Sequence, residues 1–299
     1  MTIEFVFGKQ CVIIVDMKFV EVEIKNAPKK QKLSAYLAAN GFGRAYLKML
    51  SEKSGRIFLD QKPTTLAEIV KDNQKYLLAT CKEDESSLFP FSNKPIEIAY
   101  EDDNILVIKK PRGLATMPTR RHIDDNLAAR IGAYFESKGI CEKVRILTRL
   151  DRDVEGLVLV AKSYYAASYF AHHPQNLKKT YVATLCGRVD EKIVCTEPIK
   201  TTKNHLGIIN QKRVCASDGK PSTTIFEPIC YDKTQNTTKC FVQILSGRTH
   251  QIRVHSAHIG HAIVGDTLYG GIENDCFGLC CKKLEIVCPP LSINLSLEF

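Results

Sequence analysis

From Lys94 onward the chain is crowded with short β-forming runs that helices interrupt only occasionally, and this irregular order decides the class of fold. The runs lie at 96–99, 105–109, 157–161, 180–186, 223–228 and 240–245. Apolar residues recur at helical spacing notably over 126–138 and 164–172. A regular strand–helix–strand alternation would call for a parallel sheet with crossover helices. The order found here predicts instead an α+β domain built on a mixed, largely antiparallel sheet. With 299 residues the chain can bury a substantial core, and its length suits one large domain with one small one.

The front of the chain reads differently. Residues 2–25 predict a pair of strands, from the alternation of Ile3, Phe5 and Phe7 and then of Val20, Val22 and Ile24. At Leu33, Tyr36 and Leu37 the period turns helical, and Asn40-Gly41 supplies a stop. Gly43 opens a second helix with Tyr46, Leu47 and Leu50 on one face, Gly55 breaks it, and short strands are predicted over 56–60 and 75–79. The polar run Lys82-Glu83-Asp84-Glu85-Ser86-Ser87, followed by Pro90 and Pro95, reads as a linker. The expected division is therefore a small α/β module over 1–81, a linker over 82–94 and a large domain over 95–299.

Chemistry concentrates in the stretch from Leu147 to Lys162, where a tight, charged loop ending in Gly156 feeds an apolar strand. Asp151 stands between Leu150 and Arg152, with Arg149 two residues before it. Nearby positive charge favours the ionised carboxylate. An ionised, positioned carboxylate can act as a covalent nucleophile. On spacing alone, a surface loop of ion pairs accounts for the same residues.

The loop resembles the signature H-R-L-D-R-x-T-S-G-L of RluA-type RNA pseudouridine synthases. Arg149, Leu150, Asp151, Arg152, Gly156, Leu157, Ala161 and Lys162 match it, while Thr148, Val154 and Glu155 replace its histidine, threonine and serine. Three further blocks follow the family in order. Tyr100 to Leu114 resembles its entry strand and K-P-x-G-L turn, and Lys178 to Ala183 its K-x-Y-x-A strand. Gly247 to His255, then Gly260 to Asp266, resemble G-R-T-H-Q-I-R-x-H and G-x-P-I-x-G-D. A shorter match is Arg213-Val214 followed by Gly219-Lys220-Pro221.

The resemblance implies an isomerase that converts uridine to pseudouridine in ribosomal or transfer RNA. The reaction needs no net redox change or energy input, so no cofactor and no metal are expected. Asp151 would be the nucleophile, attacking either the sugar or the uracil ring. Arg253 would pair with it, and Tyr181 would stack on the uracil and remove the proton from C5. The target must be flipped out of its stack, and Arg149 could fill the gap. Arg152, Arg248 and His250 would contact RNA, with His250 and His255 expected on a strand or loop. The front module resembles the small alpha-L RNA-binding unit, with Arg44 and Lys48, and further Lys53 and Arg56, in its basic positions. Asp60-Gln61 stands where that unit has asparagine-glycine.

Other features bound the reading. The net charge of +9 favours a polyanionic partner such as RNA. Twelve cysteines sit mostly singly, and the cluster Cys276, Cys280, Cys281 and Cys288 lacks the paired short spacings of a zinc site. No apolar run is long enough for a membrane span, and the first residues read as strand rather than a leader. A cytoplasmic monomer is expected. The alternative in another class is a catalytically inactive RNA-binding protein of the same fold, motivated by Thr148, Val154 and Glu155. A hydrolase using Asp151 lacks a histidine base at a plausible spacing.

Overall fold

Leu157-Val158-Leu159-Val160-Ala161 has no polar face because the strand it forms is buried along both. The elements around it come from a computed structural model that describes residues 3–7, 10–14, 17–51, 55–81, 92–119, 122–140, 142–203 and 209–299.

The front of the chain forms β1 (Ile3–Phe7), β2 (Gln10–Ile14), β3 (Met17–Glu23), α1 (Leu33–Ala39), α2 (Arg44–Ser51), β4 (Gly55–Leu59), β5 (Lys62–Pro63) and β6 (Lys75–Cys81). The pair of strands expected over 2–25 is thus three among the described residues, and 8–9 and 15–16 lie outside them. β1 and β2 form a hairpin, and β3, β6, β4 and β5 lie in that order in an antiparallel sheet. Asp60 and Gln61 join β4 to β5 with φ of 48° and 66°. A two-residue hairpin turn of that hand normally takes Asn-Gly, so the turn survives the replacement of its usual residues. Of the expected linker, 82–91 lies outside the described residues. Ser92 and Lys94 are already anchored to Asp125.

The larger part contains β7 (Glu97–Glu101), β8 (Ile105–Lys110), α3 (Leu127–Ser137), β9 (Arg145–Ile146), β10 (Glu155–Ala161), α4 (Tyr164–His172), β11 (Leu177–Cys186), β12 (Ile193–Cys195), β13 (Ile199–Lys203) and β14 (Ile209–Cys215). It continues through β15 (Thr224–Asp232), β16 (Thr237–Ile244), α5 (Gln251–His258), β17 (Leu279–Cys288) and β18 (Ile293–Glu298). Among the described residues the main sheet runs β12-β15-β16-β11-β17-β10-β8-β7, with β18 beside β17 and β9 beside β10. Every pairing in it is antiparallel except β10 with β17, so the fold is the mixed, largely antiparallel α+β arrangement expected. Asn126 and Ser163 start α3 and α4 by accepting the amides of Ala129 and Ala166.

One relation between the two parts bears on the site. Phe42 follows the stop at Gly41 and puts its ring 4.4 Å from that of Tyr165 on α4, while Tyr46 stacks on Tyr164 at 5.8 Å. The Gly43 amide donates to Ser168 Oγ at 2.8 Å. The buried apolar residues of both parts form one continuous core through this contact.

α5 corrects an expectation. Gln251, Ile252, Arg253, Val254, His255 and Ser256 are helical, where a strand or loop was expected. All six are buried, so the helix shows no amphipathic period, and the alternation of Ile252 and Val254 imitates a strand. Among the described residues no helix is long and apolar enough to cross a membrane.

Candidate active site

Asp151 is held in place through its neighbours. Thr116 Oγ1 donates to the Leu150 carbonyl at 2.6 Å, and the Gly113 amide donates to that of Arg152 at 2.9 Å. Lys110, fully buried at the end of β8, gives its ammonium to the carbonyls of Leu114 (2.8 Å), Pro111 (3.0 Å) and Arg152 (3.1 Å). The lysine of the K-P-x-G-L turn thus ties that turn to the Asp151 loop. Burial lowers its pKa to about 8, against the pull of Asp153, Asp151 and Glu155.

The departures within the loop acquire structural roles. Thr148 is buried and its Oγ1 accepts the Leu159 amide at 2.8 Å, satisfying a strand donor that the loop would leave open. Val154 is buried, and its amide closes a turn onto the Asp151 carbonyl at 3.1 Å. Gly156 has φ +126°, and a Cβ there would lie 2.4 Å from the Cys281 carbonyl oxygen. Only glycine lets β10 approach β17 at this point.

The Asp151 side chain is 29% exposed, into a cleft of about 740 Å³. Arg253 Nη1 lies 3.5 Å from its Oδ2. The guanidinium makes its shorter contacts with Asp266, at 2.6 and 2.8 Å, and lies between the rings of Tyr269 and Phe277 at 5.1 and 5.3 Å. Burial opposes its charge, but the hydrogen bonds and charge of Asp266 outweigh that and raise its pKa. Arg253 is therefore a fixed cation beside Asp151.

His250 enters α5 in the left-handed region, φ 57°, which turns its ring into the cleft. Its Nε2 lies 3.8 Å from Asp151 Oδ2, and its Nδ1 is 3.0 Å from the Tyr269 hydroxyl. Burial, with Arg253 and Arg213, lowers its pKa despite Asp151, so it is neutral at pH 7 and faces Asp151 as a dipole. The Arg213 amide donates to the same Tyr269 oxygen at 2.7 Å. His255, by contrast, is a satisfied core residue between Thr224 Oγ1 (2.8 Å) and the Glu197 carbonyl (2.9 Å).

Tyr181 projects from β11 into the same cleft, beside the Cys281 thiol. Burial first, then Cys281 and Asp151, raises its pKa well above the usual phenol, so it is a neutral hydroxyl at rest.

The cleft therefore gathers Asp151, Tyr181, Arg253, Arg149, Arg152, Arg248 and His250. Arg149 and Arg248 are exposed at its rim, and Arg152 pairs with Asp153 at 3.0 Å. Arg44 and Lys48 are not part of it; they share an exposed face of α2. Sequence reasoning missed the roles of Lys110, Asp266 and Tyr269. The first two sit inside quoted motifs, but nothing in the sequence ties Asp266 to Arg253. Among the described residues no group of three His, Cys, Asp or Glu side chains is placed to hold a metal.

Comparison with known proteins bears on this geometry. A family model described as RNA pseudouridylate synthase matches residues 104–258. The uncharacterized RNA pseudouridine synthase YjbO of Bacillus subtilis is 30% identical over 242 residues, 80% of this chain and 84% of that one. Ribosomal large subunit pseudouridine synthase D of Salmonella typhimurium is 33% identical over 193 residues, 63% of this chain and 56% of the other. In fold, the solved human RNA pseudouridylate synthase domain containing 1 is similar with a TM-score of 0.55 at 23% identity, covering 70% of this chain and 85% of that one. Matched across half its length by the family model and over most of its length by the Bacillus relative, the chain belongs to the RluA-type RNA pseudouridine synthases, isomerases that act on RNA.

Proposed function

We propose that Asp151 is the nucleophile, Arg253 the cation that holds its charge, and Tyr181 the residue that stacks on the target uracil. The observation that carries this is the pinning of Leu150 and Arg152 on either side of Asp151, beside a fixed Arg253. Such restraint positions a reacting group before substrate arrives. Because the resting Tyr181 phenol is neutral, it takes the C5 proton only as it passes its own proton on. At the last step Asp151 is again a free carboxylate and can receive it, and N1 of the product, freed from the sugar, takes up one proton in exchange. Arg149 stands at the rim where a flipped base leaves a gap, and Arg248 and Arg152 supply cations for backbone phosphate.

The chain's division into a module over 1–81, a linker over 82–94 and a catalytic domain over 95–299 belongs to the same proposal. Arg44 and Lys48, four residues apart on α2, give the module a basic face for RNA. The substrate class is ribosomal RNA, in keeping with the name of the Salmonella relative. A reducing cytoplasm suits the nine cysteines whose side chains are described, all free thiols.

The test is release of tritium from C5-labelled uridine in ribosomal and in transfer RNA, by wild type and by Asp151→Asn. Release by wild type alone is expected, and from ribosomal RNA. An active Asp151→Asn variant would overturn the nucleophile; release only from transfer RNA would overturn the substrate class.

A further inference from the structure

β11 alternates in burial, with Tyr181, Ala183 and Leu185 turned into the protein, and the same period puts Lys179 on that inward side. β11 is an interior strand, hydrogen-bonded to β16 on one side and β17 on the other. The register with β17 slips between Thr180 and Tyr181. The extra residue there is Lys282 on β17, so β11 keeps its own period. On its inward side Lys179 lines the Asp151 cleft together with Tyr181.

Lys110 shows how this fold treats a structural lysine, surrounding the ammonium with three carbonyls. Lys179 has no such arrangement. Among the described residues no carboxylate lies within ion-pairing distance of it and no acceptor takes its hydrogen bonds. Its charged neighbour is Arg149, which repels it, and burial with that repulsion lowers its pKa even against the Cys281 thiol. A half-buried cation left without a partner is costly unless a ligand supplies one.

We propose that Lys179 is a catalytic residue that donates a hydrogen bond to a carbonyl oxygen of the target uracil and stabilises the negative charge developing there. The inference rests on the reading of this cleft as the uridine pocket. If Asp151 attacks the sugar, the C1′–N1 electron pair stays on the ring and spreads to O2 and O4. If it attacks the ring, the C5=C6 pair moves toward O4. In both routes the charge is discharged when the C5–C1′ bond has formed, the C5 proton has left and N1 has taken up a proton. A cation on the inner wall, two residues from the stacking tyrosine, meets that charge where water does not.

Lys179→Met and Lys179→Arg are to be compared with wild type in single-turnover assays on RNA. The Met variant is expected to lose about 10²-fold in kcat with KM within a few fold, as for removal of one oxyanion donor. The Arg variant, still a cation, should recover about a tenth or more of the wild-type rate. Replacing the target by 2-thiouridine or 4-thiouridine should slow wild type with one of the two, and should slow the Met variant no further. The proposal is overturned by a Met variant with wild-type kcat, by a loss confined to KM, or by a thio effect equal in both enzymes. Should the Met variant melt early, the Arg variant and the wild-type thio effect decide instead. Asp151→Asn serves as control: its full activity would remove the pocket itself, whereas an inactive Asp151→Asn beside an active Lys179→Met would remove only Lys179.

Discussion

Asp266 holds the Arg253 guanidinium through two hydrogen bonds, of 2.6 and 2.8 Å, and both side chains are buried. Asp151 is the more distant of the two carboxylates, at 3.5 Å. Arg253 thus stands beside Asp151 while being anchored by Asp266. For Asp266→Asn we expect a loss of about 3 kcal/mol in stability, since breaking a buried pair leaves a charge uncompensated. We also expect a fall in kcat of about 10²-fold, as Arg253 loses its bearing on Asp151. Thermal melting and single-turnover rates check both; a fully active variant would separate Asp266 from the site.

Lys110 gives a pH dependence with a definite sign. Its folded pKa of about 8 lies below the ordinary 10.5, because burial opposes its charge. Between those values the unfolded chain binds more protons than the folded one, so this group's contribution to stability rises with pH across that window. Below pH 8 its full desolvation cost is present. In Lys110→Met three carbonyls lose their donor, and we expect a loss of about 2–3 kcal/mol at pH 7. The stability gap between wild type and variant should widen from about pH 8 to 10.5. Denaturant titrations at several pH values would show it; a constant gap would contradict the shift.

Gly156→Ala tests the approach of β10 to β17. The new Cβ would overlap the Cys281 backbone and sit on a backbone with φ +126°. We expect a loss of about 3 kcal/mol from strain and overpacking together. Urea unfolding measures it, and a loss below about 1 kcal/mol would mean the strands separate freely.

Charge reversal on α2 tests the front module. With Arg44→Glu and Lys48→Glu together, RNA affinity should fall, and the slope of log affinity against log salt should shrink by about 2. An unchanged slope would place the RNA elsewhere.

How far the sequence carries the argument can be judged residue by residue. Asp151, Tyr181 and Arg253 are legible because motif chemistry concentrates in short blocks, and the structure brings all three to one cleft. The strand and helix runs of the large domain are legible because half-buried strands and amphipathic helices keep their periods. α5 is not, since a helix buried all round keeps no period. Nor is the partnership of Arg253 with Asp266, which depends on how α5 packs against a later turn. The sheet order is the least legible feature, because pairing between distant strands leaves no local trace. Leu279 to Cys288 form β17, and nothing in their sequence says that this strand lies between β10 and β11.

That position has a consequence for how the protein matures. The Asp151 loop leads into β10, and Tyr181 stands on β11, yet these two strands do not pair with each other. β17 joins them, with Gly156 and Tyr181 both opposite Cys281. During synthesis Asp151 and Tyr181 leave the ribosome long before the strand that brings them together. The sheet is continuous through the cleft only with β17 in place, so the nascent chain carries every quoted motif before it carries the strand that joins β10 to β11.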